Sequence, residues 1–301
     1  MELTNILRAA AVLVLLSAPL CGQSVTVRDG TGQLVTVTAP VTRVASLVAS
    51  SIDMMVSLGA ADRVVARTRY DTATAVAKAA NLGGGIDPSV EVLIASRPDL
   101  LIAWKGQATT PAASRMRALG VPVYLVETKD TTALFATLQN LGALLGIAPR
   151  ASTAANRLRA ELQVVQRAVA SRPRVKAVYI VSRSPVIVAA AGSYMAQLIG
   201  VAGADNPFAD VAGDFPTLSL EAFLARDPDV LIVGRRGGGV RQLDLLRGAP
   251  GWRDLRAVRS GAVIEVDGEQ WGRPTLLVGA LVRSLAAELQ RITPSAQRVR
   301  E

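Results

Sequence analysis

Hydrophobic and polar residues follow two different periods along this chain. Residues 24–38 alternate between apolar and polar on either side of the turn Asp29–Gly32, which predicts a β-hairpin. Further along, short unbroken apolar runs predict buried strands, and they are separated by segments with apolar residues every three or four positions, which predict helices. Alternating strands and helices of this kind indicate an α/β fold with largely parallel sheets.

The same pattern predicts the bounds of each element. Strands are predicted at 43–48, 63–66, 100–103, 121–126, 176–182, 185–189, 230–233 and 262–266. Helices are predicted from a cap at Ser50 or Ser51 to 58, and at 112–119, 130–146, 150–170, 193–201, 243–255 with a break at Pro250, and 275–292. Polar or glycine-rich loops are predicted at 67–71, 105–111, 213–217, 234–239 and 267–274.

One pattern occurs twice, at residues 89–104 and 219–234, with seven of 16 aligned positions identical at an offset of 130 residues. In each copy a serine is placed to cap a helix, a glutamate lies in its first turn, and a proline ends it before an Asp-led apolar strand. Two copies predict two similar α/β lobes.

A segment without internal glycine or proline, residues 150–170, separates the two copies, and its apolar residues recur at helical spacing. It predicts a stiff helix between the lobes, since a flexible linker would have a different composition. The predicted organisation is a signal peptide at 1–22, an N-terminal lobe at 23–148, an interlobe helix at 149–172, a C-terminal lobe at 173–293 and a polar tail at 294–301.

The first 22 residues have the layout of a secretory signal peptide, with Arg8 before an apolar run that is too short to span a membrane. Cys21, the only cysteine of the chain, lies in the cleavage region, but Leu20 before it departs from the small residue of a lipid-attachment box. Export to the periplasm or cell-envelope exterior is therefore expected, and lipidation of Cys21 is the less favoured alternative.

Charge and composition narrow the chemistry. The 33 lysines and arginines give a net charge of +9 but form no long basic run, so a nucleic-acid partner is not expected. The chain has no histidine, which excludes Ser-His-Asp catalysis and histidine-ligated metals. No motif indicates a catalytic site, a phosphate loop or a metal cluster, and no cofactor is expected.

The chain resembles the periplasmic substrate-binding proteins of ABC importers for metal chelates, and most of all their cobalamin-binding members. The resemblance covers about residues 25–292, and it is carried by Pro98–Gly106, Asp214–Glu221 and Asp267–Pro274. It implies two lobes joined by one rigid helix, a ligand held between them, and a monomer that docks on a permease. The docking residues it implies are Glu91 and Glu221.

The resemblance also implies a set of ligand contacts, namely Arg69, Tyr70, Trp104, Lys105, Asp214, Phe215, Asp267, Trp271 and Arg273. Trp104 matches a ligand-packing tryptophan of the cobalamin binders. Three positions depart from that group: Gly85 replaces a second tryptophan, Arg69 a tyrosine, and Trp271 an arginine. These departures leave the ligand open between a corrinoid, haem and a ferric siderophore. The alternative class is a secreted enzyme or assembly factor that uses the same fold.

Overall fold

A computed structural model describes residues 23–235 and 240–298, with side chains as far as residue 292. The predicted signal peptide with Cys21, part of the glycine-rich loop and the end of the polar tail lie outside these ranges. The predicted hairpin is confirmed, because β1 (Gln23–Arg28) and β2 (Leu34–Ala39) pair antiparallel. In its turn the Asp29 carboxylate accepts hydrogen bonds from the backbone N–H groups of Thr31 and Gln33, at 2.8 and 3.0 Å.

Five parallel strands form the first sheet. They are β3 (Val44–Ser46), β4 (Val64–Arg67), β5 (Ala80–Asn81), β6 (Leu100–Trp104) and β7 (Val123–Val126), in the spatial order β5-β4-β3-β6-β7. The helices of this half are α1 (Ala49–Ser57), α2 (Val90–Ala95), α3 (Pro111–Ala118) and α4 (Thr131–Leu144). Central strand β6 is buried along residues 100–103, as its unbroken apolar run predicts.

Side-chain caps begin α2, α3 and α4. Ser89, Thr110 and Asp130 each accept a hydrogen bond from the backbone N–H three residues on. The predicted cap of α1 is wrong. Its N-cap is Val48, and both Ser50 and Ser51 are buried inside the first turn. The turn into this helix is instead made by the Ser46 hydroxyl, which accepts a bond from the Val48 N–H at 3.1 Å.

The second sheet has parallel and antiparallel strands. Its strands are β8 (Val175–Arg183), β9 (Val186–Val188), β10 (Ala204–Asp205), β11 (Thr217–Leu218), β12 (Val230–Gly234) and β13 (Val263–Val266). The order is β11-β9-β8-β12-β13, with β10 beside β8. Strands β8, β12 and β13 are parallel, whereas β9 and β11 run antiparallel to their neighbours.

The helices of this half are α6 (Tyr194–Val201), α7 (Leu220–Arg226), α8 (Gln242–Arg247), α9 (Arg256–Ser260), α10 (Gly268–Gly272) and α11 (Val278–Arg298). Two sequence predictions are wrong here, for the loop 267–274 and for the start of the polar tail. The predicted loop 267–274 contains α10, which Asp267 caps. The glycines at both ends of this short helix had favoured a loop in the sequence prediction. The predicted helix 243–255 with a break at Pro250 is confirmed in outline, because α8 precedes the break and a 3-10 turn, Trp252–Asp254, follows it, with α9 beyond. Helix α11 also continues past residue 292 into the predicted tail.

The two repeat copies have equivalent structures. Ser89 and Ser219 cap α2 and α7, and the prolines end both helices before β6 and β12. Asp99 N–H donates to the Arg43 carbonyl at 2.7 Å, and Asp229 N–H donates to the Lys176 carbonyl at 2.8 Å. Each aspartate therefore ties its strand to the first central strand of its own sheet.

The residue before each repeat proline has an unusual backbone. Arg97 has φ 46° and Asp227 has φ 35°, and they are the non-glycine residues with positive φ in the part of the chain that the structure describes. Proline disfavours the right-handed helical conformation for the residue before it. Both helices consequently end with one residue in the left-handed region, at some energetic cost.

Helix α5 (Ala148–Val169) follows α4 and leads into β8, so it connects the two sheets in the chain. Its 22 residues extend for about 33 Å. One face is buried, and it packs on α4 and on α11. Contact with α4 is close, since a Cβ on Gly142 would lie 2.3 Å from the Cβ of Ala151. One apolar cluster extends from the hairpin through α5 into the second sheet.

Across the described ranges, no helix is long and apolar enough to cross a membrane.

Candidate functional site

The carboxyl ends of the parallel strands carry most of the predicted ligand residues. Arg69 and Tyr70 follow β4, Trp104 ends β6, and Asp267 follows β13. Open α/β sheets bind ligands in the crevice beyond this edge. The edges of the two sheets lie close together, because Arg273 of the second half donates from Nη2 to the Tyr70 carbonyl of the first half at 3.2 Å.

Trp104 presents an exposed aromatic surface at this edge. Its side chain is 55% exposed, although the four residues before it in β6 are buried. The indole lies against Gly106, where a Cβ would come within 2.6 Å of the ring. The backbone N–H of Trp104 donates to the Gln107 side chain at 2.9 Å, and that side chain also donates to the Gly85 carbonyl. Gln107 thus fixes the backbone of Trp104, and the indole packs against Gly106 while the rest of its surface stays exposed to solvent.

The loop after β4 supplies a second exposed aromatic. Tyr70 is 57% exposed, and the Arg69 guanidinium lies 5.9 Å from the centre of its ring. Asp71 fixes this loop from beneath, because its carboxylate accepts hydrogen bonds from the Thr68 N–H and hydroxyl at 2.8 and 2.7 Å. Lys105, beside Trp104, is half-exposed and forms an ion pair with Glu127 at 2.5 Å.

Arg273 joins the two halves. Besides its bond to Tyr70, its Nη1 lies 3.5 Å from Oδ2 of Asp53, in the middle of α1. Burial raises the pKa of Asp53, and Asp71 raises it further, while the Arg273 charge acts in the opposite direction. Glu269 also approaches Arg273, at 3.5 Å. Arg273 is therefore engaged with protein groups from both halves.

The predicted contacts of the second half differ in accessibility. Phe215 is 49% exposed, and Asp214 beside it is also exposed. Asp267 uses both carboxylate oxygens within α10, accepting bonds from the Glu269 and Gln270 N–H groups and from the Gln270 side chain, each at 3.1 Å. It acts as a helix cap in this structure.

Trp271 does not present a surface to a ligand. Its side chain is 2% exposed and belongs to the apolar core. Helix α10, absent from the sequence prediction, turns this side chain inward. The predicted ligand contact at Trp271 is therefore corrected to a packing role. The exposed aromatics at the carboxyl edge are Trp104 and Tyr70, and Phe215 is exposed in the loop before β11.

Glu91 and Glu221 occupy matching places. Both side chains are exposed in the first turn of their helices. For each, the glutamate's own backbone N–H and the capping serine hydroxyl lower the carboxyl pKa, so both stay charged. Because α2 and α7 lead back to the starts of β6 and β12, both helices begin near the carboxyl edge that carries the exposed aromatics.

Sequence reasoning missed two residues of this edge. Ile86 is 89% exposed, and the Gly85 carbonyl before it is bound by Gln107, which places Ile86 near the Trp104 loop. A lone apolar residue after three glycines is the signal that could have found it. Asp53 was the other omission, and nothing in its local sequence indicates its contact with Arg273.

Four pockets among the described residues have none of these exposed aromatics in their lining. A groove of about 740 Å³ lies elsewhere, between α5 and the start of α11, and holds none of the predicted ligand residues. No group of three or more metal-ligating side chains was found in the ranges described above. The side chains of Trp104 and Tyr70 are exposed at the carboxyl edge, where a bulky ligand could contact them.

The chain was compared with known proteins. The family model described as periplasmic binding protein matches residues 44–269. A vitamin B12-binding protein of Vibrio parahaemolyticus is 25% identical over 240 residues, which cover 78% of this chain and 85% of the relative.

Among solved structures, a periplasmic binding protein of Veillonella parvula superposes with a TM-score of 0.77 at 23% identity, covering 89% of this chain and 98% of that one. The periplasmic haem-binding protein RhuT of a Roseiflexus species gives a TM-score of 0.73 at 23% identity, covering 85% and 99%. At this identity, the two structures show that the fold is shared.

Proposed function

Because the chain belongs to the periplasmic binding protein family, we propose that it captures a metal chelate outside the cytoplasm and delivers it to the permease of an ABC importer. A corrinoid is the first candidate, supported by the relatives that are named vitamin B12-binding proteins. Haem or a ferric siderophore is the alternative within the same class. Proteins of this family bind solutes and are not enzymes.

The observation that carries the proposal is Trp104, a half-exposed indole at the carboxyl end of a buried strand. A protein with only 4% aromatic residues exposes two of them, Trp104 and Tyr70, at the carboxyl edge of its first sheet, and Phe215 is exposed in the loop before β11. A planar or macrocyclic chelate can pack its apolar faces on such rings. Arg69, Lys105 and Asp214 would meet polar groups at its rim.

Haem fits this edge less well than a corrinoid does. Haem iron is usually held by an axial protein ligand such as histidine, methionine or tyrosine. The chain has no histidine, Met54, Met55 and Met116 are fully buried, and Met195 is partly buried against the apolar core. Tyr70 is the exposed candidate at the edge described above.

Delivery requires a contact with the permease. We assign that contact to Glu91 and Glu221, one on each side of the proposed cleft, which would pair with cationic residues of the permease. In this account residues 23–148 and 173–293 are the two lobes, and α5 is a stiff strut that permits only small changes in their relative position. Residues 1–22 would direct export, with Cys21 as an optional lipid anchor.

The docking proposal is tested by charge reversal. The variant Glu91→Arg/Glu221→Arg should keep its chelate affinity, since neither glutamate lies among the exposed aromatics, but should lose chelate uptake in cells that express the importer. Asp62→Arg, another exposed acidic residue, is the control and should transport normally. Uptake by the double variant at the wild-type rate would refute the assignment.

The binding proposal is tested by melting the purified protein against cyanocobalamin, haemin and a set of ferric siderophores. Saturable stabilisation by one chelate, weakened in Trp104→Ala, is the expected result. Stabilisation by none of them would refute chelate binding and favour a secreted enzyme or assembly factor with this fold.

A further inference from the structure

A small polar pocket of about 240 Å³ lies at the carboxyl ends of β8 and β12, where none of the predicted ligand residues had been placed. It is lined by Tyr179, Ser182, Arg183, Gly234, Arg235 and Gln242, among others. Three of these side chains donate hydrogen bonds with nitrogen and two with a hydroxyl group. We name it the oxyanion pocket.

Gln242 gives the pocket an unused donor. The residue is 4% exposed, and its backbone N–H is fixed by the Glu265 carboxylate at 2.7 Å. Its side-chain Nε2 is buried and has no hydrogen-bond partner in the protein. Buried polar groups are nearly always paired, and an unpaired one carries an energetic penalty. A bound acceptor atom would remove that penalty.

Two arginine side chains line the pocket with this donor, while the Glu265 carboxylate is bound to the Gln242 backbone N–H. Arg183 and Arg235 form no ion pair within the described part of the chain, so their charges are available to a ligand. The acidic side chain at the pocket is Glu269, which is 84% exposed and lies 3.5 Å from Arg273. Burial raises the pKa of Tyr179, and the nearby Asp267 charge raises it further, so the phenol stays protonated and able to donate.

Two glycines keep the inner wall open. A Cβ on Gly234 would lie 3.1 Å from the Tyr179 hydroxyl and 3.1 Å from the Cα of Gly268. Any larger residue at Gly234 would displace the tyrosine or fill the space beside it. The two glycines therefore leave space beside the hydroxyl of the buried Tyr179.

We propose that the oxyanion pocket binds a carboxylate or phosphodiester group carried by the captured chelate, held by Gln242, Arg183 and Arg235. This inference rests on the proposed function, because it assigns the pocket to a side group of the same ligand. In this proposal residues of the second sheet bind an anionic side group of the chelate, while the aromatics of the first sheet pack on its body.

The pocket is first tested without a chelate. The Gln242 side-chain amide signal is assigned by its loss in Gln242→Leu and followed by NMR while inorganic phosphate or acetate is added. A saturable shift in the wild-type protein, abolished in Arg183→Ala, is expected. Gln166, on the exposed face of α5, is the internal control and should not shift. The absence of any saturable shift at Gln242 would overturn the pocket.

The second test uses chelates that differ in their anionic groups. Cyanocobalamin carries a phosphodiester, dicyanocobinamide lacks it, and haemin carries two carboxylates. Gln242→Leu and Arg183→Ala should each lower the affinity for cyanocobalamin or haemin about tenfold and leave that for dicyanocobinamide unchanged. Equal affinity of both variants and the wild type for every chelate would overturn the pocket and leave the proposed function standing. If phosphate shifts the Gln242 amide signal but no chelate binds, the proposed function is overturned and the anion-binding role of the pocket remains supported.

Discussion

Removing the Arg273 charge should destabilise the protein, because this side chain joins groups from both halves. Its Nη1 lies 3.5 Å from Asp53, and its Nη2 donates to the Tyr70 carbonyl at 3.2 Å. Arg273→Gln keeps a polar side chain but is too short for both contacts. Asp53 would then remain half-buried without its positive partner.

The size of the effect follows from the exposure of the pair. The side chains of Arg273 and Asp53 are 25% and 31% exposed, so the pair lies between a surface pair, worth about 0–1 kcal/mol, and a fully buried one. Adding the lost bond to Tyr70, we expect Arg273→Gln to cost about 1–2 kcal/mol at neutral pH. Asp53→Asn should cost less than about 0.5 kcal/mol, because it also removes a carboxylate that burial penalises.

The ionisation of Asp53 makes the stability of the protein depend on pH. The folded-state pKa of Asp53 is raised above the value of about 3.9 for an unfolded aspartate. A raised carboxyl pKa means that the folded state binds the proton more tightly, so stability falls as the pH rises from the unfolded pKa through the folded one. Arg273→Gln removes the group that lowers this pKa. Its destabilisation should therefore be smallest below about pH 4, where the lost Tyr70 bond is the main contribution, and grow towards neutrality.

The free energy of unfolding is measured with urea at pH 4 and pH 7 for the wild type, Asp53→Asn, Arg273→Gln and the double variant, which form a double-mutant cycle. The double variant Asp53→Asn/Arg273→Gln should be more stable at pH 7 than Arg273→Gln alone, because no unpaired carboxylate remains. Arg283→Gln, which loses only an exposed contact with Glu161 at 3.9 Å, is the control and should change stability by less than about 0.5 kcal/mol. Strict additivity, or an Arg273→Gln loss equal at both pH values, would refute the reasoning.

Three further substitutions test packing and backbone geometry, all by urea unfolding. Trp271→Ala should lower the free energy of unfolding by about 3–5 kcal/mol because the ring is 2% exposed. Trp104→Ala, at 55% exposure, should lower it by less than about 1 kcal/mol. Equal losses in the two variants would contradict the assigned roles. Gly142→Ala should cost about 1–2 kcal/mol, since its Cβ would lie 2.3 Å from that of Ala151, and a gain would show that α4 and α5 are not tightly packed. Arg97→Gly should stabilise by about 0.5 kcal/mol at φ 46°, and a loss would mean that this backbone is not strained.

Much of the fold could be predicted from the repeated segment. Its serine, proline and aspartate act locally, as a cap, a helix stop and a strand entry, so their effects can be predicted from spacing alone. The long helix α5 was predictable for the same reason, because apolar residues recur at helical spacing over a length without glycine or proline.

The site was less predictable, because its contacts join distant parts of the chain. The exposure of Trp104 agrees with its place at the end of a buried strand, but the inward direction of Trp271 depends on α10 and on the core around it. Asp53 and Gln242 lie in helices that the sequence predicts at least in part. Only the folded chain shows that one faces Arg273 and that the other has a buried amide without a partner.

The central claim is that this protein binds a metal chelate against Trp104 and releases it unchanged. Isothermal titration of the purified protein with cyanocobalamin, followed by recovery of the ligand, tests it most directly. We predict saturable one-to-one binding, at least tenfold weaker in Trp104→Ala, with the corrinoid recovered intact. Wild-type affinity in Trp104→Ala, or chemical conversion of the ligand, would contradict it.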